Sequence, residues 1–161
     1  MLKKRVEEAL NTQINAEMWS AHFFLAMSLH FAEDGYTGFA AWMRHQYNEE
    51  QQQAFRLMDY VVEQGGRVIL QDIVDIPSEF GDPIETFEQA LVHQMRITDS
   101  FDTLLDVVCE EKDRATRSVL DWFVLNQVKK ESEISRIITR LKRTADESGF
   151  YMLDSELIKK S

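Results

Sequence analysis

The chain has 161 residues and a formal net charge of −10, and its lysines and arginines are scattered. Proteins that bind nucleic acid usually present a concentrated basic surface, so this distribution argues against nucleic acid as a partner. No apolar stretch approaches the roughly 18 residues needed to span a bilayer, and the start lacks the apolar segment of a signal peptide. The single cysteine excludes an internal disulfide. We therefore expect a soluble, cytoplasmic protein with no membrane partner.

The sequence predicts long helices, because it contains only 2 prolines and 6 glycines. Apolar residues spaced three and four positions apart predict four of them. The first extends from about Lys4 to Glu33 and the second from about Thr37 to the glycines at 65–66. The third begins at Pro83, and the fourth covers about 113–144. A short amphipathic helix over 154–160 is expected to end the chain.

The connections between these helices predict how they pack. The first and last connections are short, so each joins an antiparallel helix pair. The middle connection, from Arg67 to about Asp82, is long enough to run the full length of a bundle. The sequence therefore predicts an all-α four-helix bundle made of two hairpins and a long crossover between helices two and three.

Polar residues interrupt the apolar stripes near the middle of each predicted helix. Charged groups in a bundle core are costly unless they are paired, hydrogen-bonded or bound to metal. One such residue would fit a helix rotated slightly toward water, whereas one on every helix favours a shared polar layer that binds metal or forms a network. The residues concerned are Glu17, Glu50, Gln94, Gln127 and Lys130.

Several segments resemble bacterial non-haem ferritins in order and spacing, and the resemblance covers the whole chain. It implies a single ferritin-like domain over residues 1–161, with the short fifth helix of that family. It also implies a hollow shell of 24 subunits that oxidises Fe(II) with O2 and stores a ferric mineral. The matching segments are 15–19, 43–50, 87–98, 121–127 and 149–157.

The resemblance places the family's di-iron ligands at numbered positions of this chain. Its bridging and terminal carboxylates match Glu17 and Glu50, and its fourth-helix ligand falls on Gln127. Its histidine three residues after the bridging glutamate falls on Gln53, and its third-helix glutamate falls on Gln94. These five residues are the expected metal ligands.

Two of these positions depart from the family in a way that weakens iron binding. Fe(III) prefers anionic oxygen ligands, whereas Gln94 removes a negative charge and Gln53 removes a nitrogen donor. Two carboxylates neutralise a pair of ferric ions poorly, so the second iron should bind weakly or not at all. A single weak divalent-ion site at Glu17 and Glu50, with Gln53, is the expectation.

The family's accessory iron site is also altered. Of its acids, Glu49 is kept, but Asn126, Lys129 and Lys130 stand at the other positions. Lys130 lies on the inward stripe, so its ammonium could reach Glu50 or Glu49 and stand in for a metal. Light-type ferritin subunits hold a salt bridge in their lost centre in this way. The alternative is that the Lys130 side chain extends along the stripe into the cavity.

Histidine ligation and haem binding are not expected. His93 adjoins Gln94 and should therefore face about a quarter-turn away from the core. Some bacterial relatives bind haem through a methionine of the second helix, and that position falls on Gln51 or Gln52 here. Iron in non-haem form is thus the expected cargo.

The leading functional hypothesis is an iron-storage cage subunit with impaired or absent ferroxidase activity. Such a subunit would form its own shell or assemble with a catalytically complete ferritin subunit. The alternative is an active ferroxidase that oxidises Fe(II) with O2 at an amide-substituted site. A shell that coats DNA is less well supported, because the chain has no basic tail.

Overall fold

Five helices make up most of the computed structural model, which describes residues 1–158. None of the helices in this range is long and apolar enough to cross a membrane. The four long helices begin and end close to the predicted positions, because glycines and caps fix their ends. The bounds of the four long helices and of the short fifth helix are Lys4–Glu33 (α1), Thr37–Glu63 (α2), Pro83–Glu110 (α3), Arg114–Thr144 (α4) and Glu147–Ile158 (α5).

Local chemistry explains the starts of α3 and α4. Asp82 accepts a hydrogen bond from the backbone N–H of Glu85, while the Glu85 side chain accepts from the backbone N–H of Asp82. Pro83 follows in the first turn, where its missing N–H costs nothing. At the start of α4, Asp113 accepts from the backbone N–H of Thr116 at 3.0 Å. Each acid satisfies a backbone donor that has no partner within the helix.

The helices form two antiparallel pairs, α1 with α2 and α3 with α4, and α1 also packs on α3. Their apolar residues form two separate clusters. One is rich in aromatic side chains such as Phe24 and Phe87, and the other contains aliphatic residues such as Leu10 and Leu57. Along α1 and α2 the polar residues lie between the two clusters. The core is therefore divided by a polar layer at mid-height.

Two asparagines of α1 hold the crossover against the bundle. Asn11 accepts from the backbone N–H of Ile69 at 2.7 Å, and Asn15 accepts from that of Gln71 at 2.8 Å. Their amide N–H groups donate in turn to crossover carbonyls. Trp19, one turn later, donates to the carbonyl of Val74. An extended segment without secondary structure thus has its backbone groups satisfied by side chains.

The predicted start of the fifth helix was wrong by seven residues. The helix begins at Glu147, because Asp146 accepts from the backbone N–H of Gly149 and a left-handed residue, Ala145, ends α4 immediately before it. The buried Asp154 then accepts from the backbone N–H of Phe39 at 2.7 Å and ties α5 to the start of α2. Lys159 and Lys160, which the prediction included, lie outside the described residues.

The inward face of α3 is wider than predicted. The stripes predicted for α1, α2 and α4 are buried throughout. Four residues of the stripe that the apolar spacing predicts for α3 are only half-buried, and they are Ile84, Leu91, Thr98 and Leu105. The reason is that α3 packs against both α4 and α1, so a broader arc of the helix is covered. The residues buried beyond the expected stripe are Pro83, Thr86, Ala90, His93, Ile97 and Leu104.

Candidate functional site

The polar layer brings together side chains from all four long helices. Glu17 and Glu50 are fully buried, and Gln94 and Gln127 are at most 1% exposed. Lys130 is 6% exposed, so the fourth helix places an ammonium in the same layer. These residues stand where the polar interruptions of the stripes predicted them. The periodicity of each helix, rather than any loop, positions them.

The Lys130 ammonium binds one of the two buried carboxylates directly. Its Nζ lies 2.6 Å from Oε1 of Glu50, and both side chains are almost entirely removed from water. Glu49 is not part of this contact, since it is half exposed and faces His45 at 3.3 Å. Of the two expected partners of Lys130, the structure selects Glu50. The alternative in which Lys130 extends into the cavity is wrong.

Two glutamines, one on α3 and one on α4, extend the hydrogen-bond network from Glu50. Gln94 donates from Nε2 to Oε1 of Glu50 at 3.0 Å, and Gln127 donates from Nε2 to Oε1 of Gln94 at 3.0 Å. Thr98 accepts a longer hydrogen bond from Gln127 and donates to Glu131 at 2.7 Å. The negative charge of Glu50 fixes the direction of this chain, because each amide must turn an N–H toward it.

The two buried carboxyl groups differ in protonation. Burial raises the pKa of Glu17 well above its ordinary value, and the nearby charge of Glu50 raises it further. Burial would also raise the pKa of Glu50, but the hydrogen bond from Glu17 and the ammonium of Lys130 outweigh it and lower that pKa. Glu17 is therefore a neutral acid that donates to the Glu50 carboxylate. The charges of Glu50 and Lys130 then cancel.

Some buried polar atoms of the layer lack a hydrogen-bond donor or acceptor opposite them. These atoms show how well the site would bind iron as a substrate. Apart from the hydrogen bond between Glu17 and Glu50, no donor reaches Glu17 Oε2 or Glu50 Oε2, and Gln127 Oε1 and Gln53 Nε2 also lack partners. The three oxygens would suit one divalent cation once Glu17 loses its proton. They do not suit two irons, because residues 1–158 contain no cluster of three His, Cys, Asp or Glu side chains placed to hold a metal. The ammonium of Lys130 adds a fixed positive charge beside them.

His93 is a site residue that sequence reasoning placed wrongly. It is 9% exposed, and its Nε2 lies 2.5 Å from Oγ of Ser20. Burial lowers its pKa to about 4, so the imidazole is neutral at physiological pH. Aromatic rings surround it, with Phe23 at 4.7 Å and Phe24 at 6.2 Å between ring centroids. The sequence contained one feature that could have indicated the inward position of His93. Ser20 is a polar residue one turn after Glu17 on the inward face of α1, and it needs a hydrogen-bond partner there.

The family assignment follows from this fold and from comparisons with known proteins. The Ferritin-like domain family matches residues 7–144, and the chain belongs to this family. A bacterial non-haem ferritin of Bacteroides fragilis is 37% identical over 157 residues, which cover 98% of both chains. A bacterial non-haem ferritin of Staphylococcus saprophyticus is 34% identical, covering 100% of this chain and 97% of its own.

Solved structures of archaeal ferritins have the same fold. An open-pore ferritin from Archaeoglobus fulgidus superposes with a TM-score of 0.95 at 37% identity, covering 98% of this chain and 97% of its own. A closed form of that ferritin, engineered by mutagenesis, also gives a TM-score of 0.95. The resemblance to ferritins over the whole chain is thereby confirmed, including the four-helix bundle and the short fifth helix.

Proposed function

We propose that this chain is a subunit of a cytoplasmic protein shell that stores iron as a ferric mineral and whose own bundle centre has impaired or absent ferroxidase activity. Membership of the ferritin family and similarity to bacterial non-haem ferritins over nearly the full chain support the storage role. The contact between Lys130 and Glu50 supports the second half of the proposal. A shell of 24 subunits is the assembly that the resemblance implies.

The position of Lys130 opposes the binding of two irons in two ways. Its ammonium already occupies Oε1 of Glu50, which the family resemblance identifies as a metal ligand. It also places a positive charge within the space that the cations would share, where the low dielectric of a bundle core makes repulsion stronger than in water. Iron binding at both positions would require Lys130 to leave a buried ion pair, which is costly.

The orientation of the Gln94 amide also disfavours the binding of a second iron ion. The amide presents an N–H to Glu50, so the side of the amide that faces the carboxylates is a donor. An amide oxygen could face a metal only after the amide turned over, which would break the hydrogen bonds to Glu50 and Gln127. Hydrogen bonds to a charged group contribute about 1.5–3 kcal/mol each, so the present orientation is favoured.

The alternative of an active ferroxidase rests on three oxygens of the layer, Glu17 Oε2, Glu50 Oε2 and Gln127 Oε1, which no amide or ammonium donor reaches. Loss of the Glu17 proton would give a divalent cation two carboxylates, with Gln53 nearby. One weakly held Fe(II) is compatible with this arrangement. Under the leading proposal, by contrast, a subunit without ferroxidase activity would obtain its ferric iron from a catalytically complete ferritin subunit in a mixed shell, or from slow oxidation in solution.

Stopped-flow absorbance of the purified shell mixed with Fe(II) in aerated buffer tests the proposal. We expect oxidation no faster than in buffer, followed by iron that remains with the shell through gel filtration as an electron-dense core. The matched gain-of-function variant carries Gln53→His, Gln94→Glu and Lys130→Glu, and it should acquire a rapid phase. A rapid phase in the unaltered protein that disappears in Glu50→Ala would establish the active ferroxidase instead. A shell that never retains iron would exclude the storage role.

A further inference from the structure

A second cavity, separate from the polar layer, lies where α2, α4 and α5 meet. It has a volume of about 450 Å³, and its apolar side is formed by Trp42, Ile137 and Leu157. The remaining lining residues are polar, and most of them are hydrogen-bond donors. They are His45, Gln46, Glu133, Arg136 and Arg140.

The floor of this cavity carries the side-chain amide of Gln46, which is 5% exposed. Its polar atoms are not among the buried atoms that lack a hydrogen-bond partner, so they remain open to water in the cavity. Because Gln46 lines the cavity, its amide is available to a molecule that enters there.

The charges above this floor favour an anion. Arg136 and Arg140 lie one turn apart on α4, and each uses one side-chain N–H, to Ser132 and to Glu156. The rest of each guanidinium remains free to bind another acceptor. Glu133 is the one carboxylate among the lining residues, and it is exposed and can turn to water. Two guanidiniums and an amide therefore face one cavity.

We propose that this cavity is a binding site for a phosphate group, either inorganic phosphate or a phosphate monoester. A phosphate suits two neighbouring arginines better than a monocarboxylate does, because arginines pair bidentately with phosphate oxygens and a dianion can compete with Glu156 for Arg140. The apolar wall beside Trp42 leaves room for the organic part of an ester. The site contains no residue of the mid-height layer, so it does not depend on iron oxidation.

Equilibrium dialysis of the iron-free shell against radiolabelled inorganic phosphate, at fixed ionic strength, tests the site. We expect saturable binding of one phosphate per subunit, weakened at least about tenfold in Arg136→Gln through loss of a charge-assisted hydrogen bond. The matched control is Arg117→Gln, which removes the same charge from an exposed position of α4 that lines a different pocket. Its affinity should be unchanged.

Competition by phenyl phosphate then distinguishes the two sources of the phosphate group. Stronger competition than by unlabelled phosphate, with quenching of fluorescence that is lost in Trp42→Phe, would identify an ester as the ligand. Equal competition would identify inorganic phosphate. The proposal is overturned if binding does not saturate, or if Arg117→Gln weakens it as much as Arg136→Gln. It is also overturned if Gln46→Leu, folded by circular dichroism, binds phosphate normally.

Discussion

Replacing Lys130 by methionine tests the buried ion pair at the bundle centre. Methionine keeps an unbranched side chain that is one atom shorter, and it removes the ammonium that lies 2.6 Å from Glu50. Removal of one member of a buried pair costs roughly 3–5 kcal/mol, because the other charge is left without compensation. The hydrogen bonds from Gln94 and Glu17 to Glu50 remain, so we expect a loss near the lower end, about 3 kcal/mol per subunit at pH 7.5.

The effect of Lys130→Met should depend on pH with a definite sign. In the unaltered protein the pKa of Glu50 is lowered, so its contribution to stability is present above its unfolded-state pKa and is lost as pH falls. Without Lys130, burial raises the pKa of Glu50, because the folded state then favours the protonated acid. In Lys130→Met the contribution of Glu50 to stability is then lost as pH rises. The difference in the free energy of unfolding between the unaltered protein and Lys130→Met therefore widens from pH 5 to 7.5.

Guanidinium unfolding, followed by circular dichroism at equal subunit concentration, measures this effect. The matched control is Lys129→Met, the same change at the neighbouring exposed lysine, which should alter stability by less than about 0.5 kcal/mol. The double variant Glu50→Gln with Lys130→Met removes both charges and should recover most of the loss. Equal stability of Lys130→Met and Lys129→Met at both pH values would refute the argument.

Two further perturbations test other parts of the structure. The pKa of His93 falls from 6.5 to about 4 on folding, so the unfolded state binds its proton first and stability should drop by about 3 kcal/mol per subunit as pH falls through that window. His93→Gln should lose this part of the acid sensitivity in guanidinium titrations, and an unchanged pH profile would contradict the assignment. In Gly38→Ala, the new Cβ would lie 1.8 Å from the backbone oxygen of Asp154, so α5 should loosen by about 1–3 kcal/mol. Hydrogen exchange across Glu147–Ile158 should accelerate in this variant and not in Ser155→Ala.

Most of the helical architecture could be predicted from the sequence. Every residue of the stripes predicted for α1, α2 and α4 is buried, because the spacing of apolar residues directly reports the face that packs against the core. The starts at Pro83 and Asp113 followed from local chemistry. The sequence also determined that a polar layer exists, since polar or charged residues on four apolar stripes need partners that other helices supply.

The tertiary structure decided which partners meet. Glu49 and Glu50 are adjacent on α2, and a flexible lysine could reach either, so only the packing of α4 against α2 selected Glu50. His93 was buried by the contact of α3 with a second helix, which no periodicity within α3 reports. These features depend on distances between elements far apart in the chain, whereas the sequence pattern reports only how each helix divides its own surface between core and solvent.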